Sequence, residues 1–167
     1  MILELLDAVS RFTTIIVILT AICAIVGWVN GVWPAIYRIG NGFARRKIAI
    51  FAKADNAVSL KDLLIDSKLF KSKNIFVITK KEDFGKAEEA SIYLVQWHDW
   101  SNDISEILNK KTDKCAMVVY APFGGERISD EQMQNLDNKR YTTVANFRGR
   151  LLNDIVTSMI TTNYEER

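Results

Sequence analysis

The sequence predicts an α/β protein in two parts: an N-terminal transmembrane helix, then a Rossmann/flavodoxin-like three-layer domain with a five-stranded parallel sheet. Three observations predict it. Residues 12–29 are an eighteen-residue run without a charge. From residue 44 onward charge returns every few residues. In that second part five short apolar runs alternate with segments of helical spacing, as in a parallel sheet covered on both faces.

Bulk composition excludes little. The chain has 167 residues, with 22 Lys+Arg against 20 Asp+Glu and a net charge of +2. That balance excludes a histone-like binder of nucleic acid but permits a local basic patch. Two cysteines, Cys23 and Cys115, make no disulfide framework and suit a reducing compartment. A single histidine, His98, excludes a multi-histidine metal centre. No CxxC, HExxH or Walker-type glycine loop occurs, so no metal, cofactor or catalytic set is expected.

The apolar run comes first. Eighteen residues at 1.5 Å each give about 27 Å, close to a hydrocarbon core. Val32, Trp33, Ala35 and Ile36 extend it, and Trp28, Trp33 and Tyr37 fall where interfacial aromatics belong. The predicted span is 12–37, preceded by an extracytoplasmic segment at 1–11. A cleaved signal wants a basic start, but residues 1–11 hold Glu4, Asp7 and only Arg11. A lipoprotein signal wants a small residue before its cysteine, and Ile22 precedes Cys23. Residues 38–53 carry five cations against one in 1–11, which places the C-terminal part in the cytoplasm. Thr20, Ala24, Gly27 and Gly31 share one helical face. Small residues there let helices approach closely, so self-association is expected. Thr13 extends the stripe, and Thr13, Thr20 and Asn30 are the groups that could wet a shared axis. Hydroxyls can also bond back to their own helix.

A basic junction at 38–47 follows. Pro34 and Gly40-Asn41-Gly42 are expected to kink or end the helix there. The α/β domain is assigned to 48–167. Its strands are expected at 47–52, 74–79, 91–97, 115–121 and 141–147. Helices are expected at 59–70, with Ser59 as N-cap, then at 101–110, 129–136 and 150–161, and a short polar helix or loop at 84–90. Right-handed crossovers predict the strand order 2-1-3-4-5.

In such a sheet, ligands gather beyond the carboxyl ends of the strands. The loops there hold Lys53; Lys80 and Lys81; Trp97, His98 and Trp100; Phe123, Gly124 and Arg127; Arg148 and Arg150. Cations neutralise phosphates and rings stack bases, so these are the candidate ligand-binding residues for a nucleotide or single-stranded oligonucleotide. Ordinary loop chemistry is the competing reading: Trp97 could be a core residue, and Arg148 or Arg150 could instead clamp Asp154 or pair across a subunit interface. Enzyme readings are weaker. A phosphoreceiver wants acidic residues after the first strand and a lysine after the fifth, where the sequence has Lys53-Ala54-Asp55 and Asn146-Phe147-Arg148. A TIR-like NAD hydrolase wants a rim glutamate, for which Glu126 is the candidate. His98 with the adjacent Asp99 is a poor acid–base pair.

The helix 12–37, the basic Arg45-Arg46-Lys47 and the α/β domain 48–164 together resemble, in organisation, the membrane effectors of bacterial anti-phage nucleotide-signalling systems. Within that group the chain is most similar to the channel subunits of Hailong defence systems. The resemblance implies a homo-oligomeric ion channel, with a tetramer as one candidate, in the bacterial inner membrane. It further implies that the cytoplasmic domains bind the product of a nucleotidyltransferase, a short single-stranded DNA, which keeps the pore closed. Two alternatives stay open: a membrane-anchored nucleotide-processing enzyme and a non-catalytic adaptor.

Overall fold

The computed structural model describes residues 2–164. The chain divides into two units, Met1–Gly42 and Phe43–Arg167. The first is most of helix α1, Ile2–Arg45. Its stretch Ser10–Pro34 is long and apolar enough to cross a membrane, and its side chains are exposed. The helix does not end or turn at Gly40–Gly42, as the sequence led us to expect, but runs to Arg45. Pro34 removes one hydrogen bond and each glycine weakens a turn, by about 1 kcal/mol relative to alanine. Those losses are local, and helix propagation on both sides outweighs them. Thr20 donates to the Ile16 carbonyl at 2.8 Å and Thr14 to that of Ser10 at 2.9 Å, so both hydroxyls bond back to the preceding turn. Gly27 and Gly31 have open space where a Cβ would stand.

The second unit is the predicted α/β domain. Five strands, β1 (Ile48–Phe51), β2 (Ile75–Ile78), β3 (Ile92–Gln96), β4 (Ala116–Tyr120) and β5 (Thr142–Ala145), form one parallel sheet in the order β2-β1-β3-β4-β5. Each pairing is in continuous register, for example Ile50 beside Val77 and Leu94. The period-2 alternation of a strand divides the core in two. Ile48, Ile50, Ile92, Leu94, Ala116 and Val118 face helices α2 (Ala54–Asp66) and α6 (Arg148–Tyr164), meeting Leu60, Leu64, Leu151 and Ile155. Ala49, Phe51, Tyr93, Val95, Met117 and Val119 face the opposite layer. That layer holds a 3-10 segment, Lys81–Ala87, and helices α3 (Trp97–Trp100), α4 (Ile104–Lys110) and α5 (Asp130–Asp137). Both faces are covered, so strands β1 and β3 are buried throughout.

Helix α2 begins at Ala54, five residues before the serine expected to cap it. The reason is tertiary. The Asp99 carboxylate reaches across from the loop after β3 and accepts the Lys53 N–H at 2.8 Å. Ser59 instead lies inside α2. Helix α2 stops where Lys68 takes a left-handed φ of 57° just beyond it.

Helix α5 owes its start to a capping box. Ser129 Oγ accepts the Gln132 N–H at 3.2 Å, and Gln132 Oε1 accepts the Ser129 N–H at 3.1 Å. Only Leu136 of this helix is buried, so the cap carries much of its stability. Ser129→Ala should lower the unfolding free energy by about 1 kcal/mol, read as a fall in the urea midpoint at constant slope. An unchanged midpoint would show that α5 is held by packing alone.

Candidate ligand-binding rim

The carboxyl ends of the five strands form a rim opposite the end where the chain joins the sheet. At the joining end Ser91 donates its N–H to the Lys47 carbonyl, and Lys47 pairs with Glu89. The rim is built by the loops after β1, β3, β4 and β5, and it falls into two halves.

The first half is the crevice between β1 and β3, where the connection from β1 runs one way, to β2, and that from β3 the other way, to β4. A carboxylate closes it. Besides Lys53 N–H, Asp99 accepts from Asn56 Nδ2, which stands 3.1 Å from each carboxylate oxygen. Ala54 sits beside this bridge at a φ of 44°, a strained value for a residue with a Cβ. Lys53 Nζ lies 4.7 Å from the centroid of the Trp100 ring, a cation–π distance.

Trp97 and Trp100 were candidates to stack on a ligand, with a core position as the competing reading for Trp97. The structure corrects the ligand reading: each is only 1% exposed. The loop after β3 coils into a short helix, and residues three apart in it turn to the same side. Both indoles therefore enter the core, where Trp100 meets Phe51 and Phe84. His98 and Asp99 occupy the outer side. The spacing Trp-His-Asp-Trp was the available signal, since apolar residues at i and i+3 with polar ones between mark an amphipathic turn.

The second half is formed by the loops after β4 and β5. They are tied backbone to backbone: Ala121 N–H to the Ala145 carbonyl at 3.0 Å, and Phe123 N–H to that of Asn146 at 3.2 Å. Gly124 at a φ of 89° makes the turn that follows. Phe123 and Phe147 then project into solvent, 86% and 63% exposed. Their rings are nearly parallel, 6° between planes and 6.3 Å between centroids. Phe147 was not among the candidate ligand-binding residues. Its signal was modest: an aromatic residue just past the last buried residue of an edge strand.

The predicted cations differ in how they are held. Lys81 bridges Asp103 at 2.6 Å and Glu106 at 3.2 Å, and these acceptors raise its pKa. Arg148 is bound to α2, donating to Ser59 Oγ at 2.7 Å and to the Ser59 carbonyl at 2.8 Å. Arg150 pairs with Asp154 at 3.2 Å. Lys80 and Arg127 are exposed, and neither has an ion pair among the described residues.

One further constellation appears where two loops meet. Glu126 accepts a hydrogen bond from Ser101 Oγ at 3.1 Å, and His98 Nδ1 stands 3.9 Å from the same carboxylate oxygen. The carboxylate that faces the imidazole is thus Glu126, while Asp99 is committed to the crevice.

No family model matches the chain, and no curated protein matches it. A solved structure with some likeness is the constitutive lysine decarboxylase of E. coli, at 15% identity and a TM-score of 0.46. The likeness covers 72% of this chain and 17% of that one, so the chain spans under a fifth of the enzyme's length.

Proposed function

We propose that the chain is a subunit of a homo-oligomeric membrane effector: an ion channel gated by a nucleotide or short single-stranded oligonucleotide bound to its α/β domain. One observation carries the reading. A 25-residue exposed apolar stretch, Ser10–Pro34, lies on a single unbroken helix that ends two residues before the first strand of a doubly wound domain. That domain presents exposed rings at its rim, and cations there, Lys80 and Arg127, that have no ion pair among the described residues.

One helix cannot enclose a pore, so several copies must gather. The face of Thr20, Ala24, Gly27 and Gly31 permits close approach of neighbours. Thr13, Thr20 and Asn30 supply polar atoms for a central axis. The cation excess after the span supports an α/β domain on the cytoplasmic side of a bacterial inner membrane, with the N-terminus outside. A ligand that binds one arrangement of the domains better than another shifts the pore equilibrium, and coupling of about 1–3 kcal/mol is usual. The resemblance to anti-phage effectors supplies the class of regulator, a nucleotidyltransferase product.

Purified protein in a planar bilayer should show discrete conductance steps that respond to oligonucleotide. Thr20→Leu should reduce unitary conductance and leave oligonucleotide affinity unchanged. The Ser101–Glu126–His98 cluster favours a second reading, a membrane-anchored enzyme acting on nucleotides, because an oriented carboxylate beside an imidazole can move protons. A silent bilayer together with nucleotide turnover would select it.

A further inference from the structure

We propose that the rim ligand is held at the β4–β5 half, by an unpaired nucleobase stacked on the Phe123–Phe147 pair with an adjoining phosphate neutralised by Arg127, and not in the crevice between β1 and β3. This rests on the oligonucleotide-binding reading above and assigns the groups that do the binding.

The crevice is the usual place for a ligand in a sheet of this order. Here it is filled by the protein's own anion. Asp99 takes the Lys53 N–H and both contacts of the Asn56 amide, which are the donors a phosphate would need. The rings that could have stacked a base there are buried. A polyanion entering the crevice would meet a carboxylate and no aromatic face.

The other half has the opposite properties. Two phenyl rings stand in water at 86% and 63% exposure with near-parallel planes. They come from separate loops joined by the hydrogen bond from Phe123 N–H to the Asn146 carbonyl. The platform is therefore preformed, which lowers the ordering cost of binding. Arg127, four residues on from Phe123, is exposed and has no paired carboxylate among the described residues. Two rings are too small a patch for a protein partner, whose stable interfaces bury about 1,200–2,000 Å² in total. A single base covers a ring face, and its phosphate uses the cation.

The test uses the full-length protein in detergent and two labelled probes: a single-stranded DNA hexamer and an abasic deoxyribose-phosphate hexamer of equal charge. Phe123→Ala should weaken the DNA hexamer roughly five- to a hundredfold. It should leave the abasic hexamer within twofold. Arg127→Gln should weaken both probes and lower the salt slope by about one. The exposure of Phe123 keeps its removal from harming the fold, which an unchanged urea midpoint verifies. An equal loss of both probes on Phe123→Ala would overturn stacking. A loss on Lys53→Gln as large as that on Phe123→Ala would move the ligand to the crevice and overturn the assignment, while the oligonucleotide reading stood. A wild-type protein that binds neither probe would overturn both.

Discussion

Trp100→Ala should destabilise the α/β unit by about 3–5 kcal/mol, against about half that for Trp100→Phe. The ring is 1% exposed and makes three aromatic or cationic contacts. Phe51 meets it edge-on at 6.0 Å, Phe84 at 5.4 Å, and Lys53 Nζ lies 4.7 Å from its centroid. Alanine leaves a cavity beneath β1 and takes away the face under Lys53. Phenylalanine keeps the contacts with both rings. It also removes a liability, because the buried indole N–H finds no acceptor among the described residues. Domains of this size have about 5–15 kcal/mol in total, so the alanine variant should lose a large part of its stability. Urea unfolding of the full-length protein, followed by fluorescence of the remaining tryptophans, measures it. A change within about 0.5 kcal/mol is what a solvent-facing stacking residue would give, and it would return Trp100 to the ligand surface.

This tryptophan also marks where sequence reasoning reached its limit. The topology was readable because parallel strands buried on both faces leave unbroken apolar runs. IAIF, IFVI, IYLVQ and AMVVY declare themselves that way, and a short run of turn residues or a helix separates each pair. The order β2-β1-β3-β4-β5 is one of the two common doubly wound orders that right-handed crossovers allow. Loops after strands carry no such periodicity. Whether Trp97 and Trp100 face ligand or core depends on one coil of the chain after Gln96, which is set by packing against Phe51 and Phe84. Those partners are 49 and 16 residues upstream of Trp100, beyond any local pattern.

The start of α2 was hidden for the same reason. Its N-cap is Lys53, whose N–H is taken by Asp99, 46 residues away, so no side chain at the helix start could announce it. Ser59 looked like a cap from its local sequence, but its hydroxyl instead receives Arg148 from α6. Helix α1 failed in the other direction. Local breakers at Pro34 and Gly40–Gly42 read as an exit, and the helix passes through them. Breakers shift a local free energy by a few kcal/mol at most, and the residues on either side decide whether that shift prevails.

Stability of the α/β unit should fall steeply above about pH 9, and the buried Cys115–Tyr93 pair should account for the fall. Burial raises the Cys115 thiol from 9.0 to about 12, against a smaller opposing pull from the Lys111 charge. Burial likewise raises the Tyr93 phenol from 10.0 to about 12, helped by Cys115 and Glu88. Both groups are acids whose folded-state pKa lies above the unfolded one. Below pH 9 they hold their protons in either state, and the stability is complete. Between pH 9 and about 12 the unfolded chain releases protons that the folded chain keeps, so rising pH favours unfolding. For Cys115 alone the slope approaches about 1.4 kcal/mol for each step of one in pH. Urea midpoints of the full-length protein at pH 7, 9.5 and 10.5 should therefore decline. Cys115→Ala should flatten the decline by close to one proton, beyond its own constant packing cost. Alkylating reagents at pH 8 should reach this sulfur only after unfolding, since the folded site keeps it a thiol. A wild-type slope retained in Cys115→Ala would show that the thiol ionises alike in both states, and the alkaline sensitivity would then lie with Tyr93 and the surface lysines.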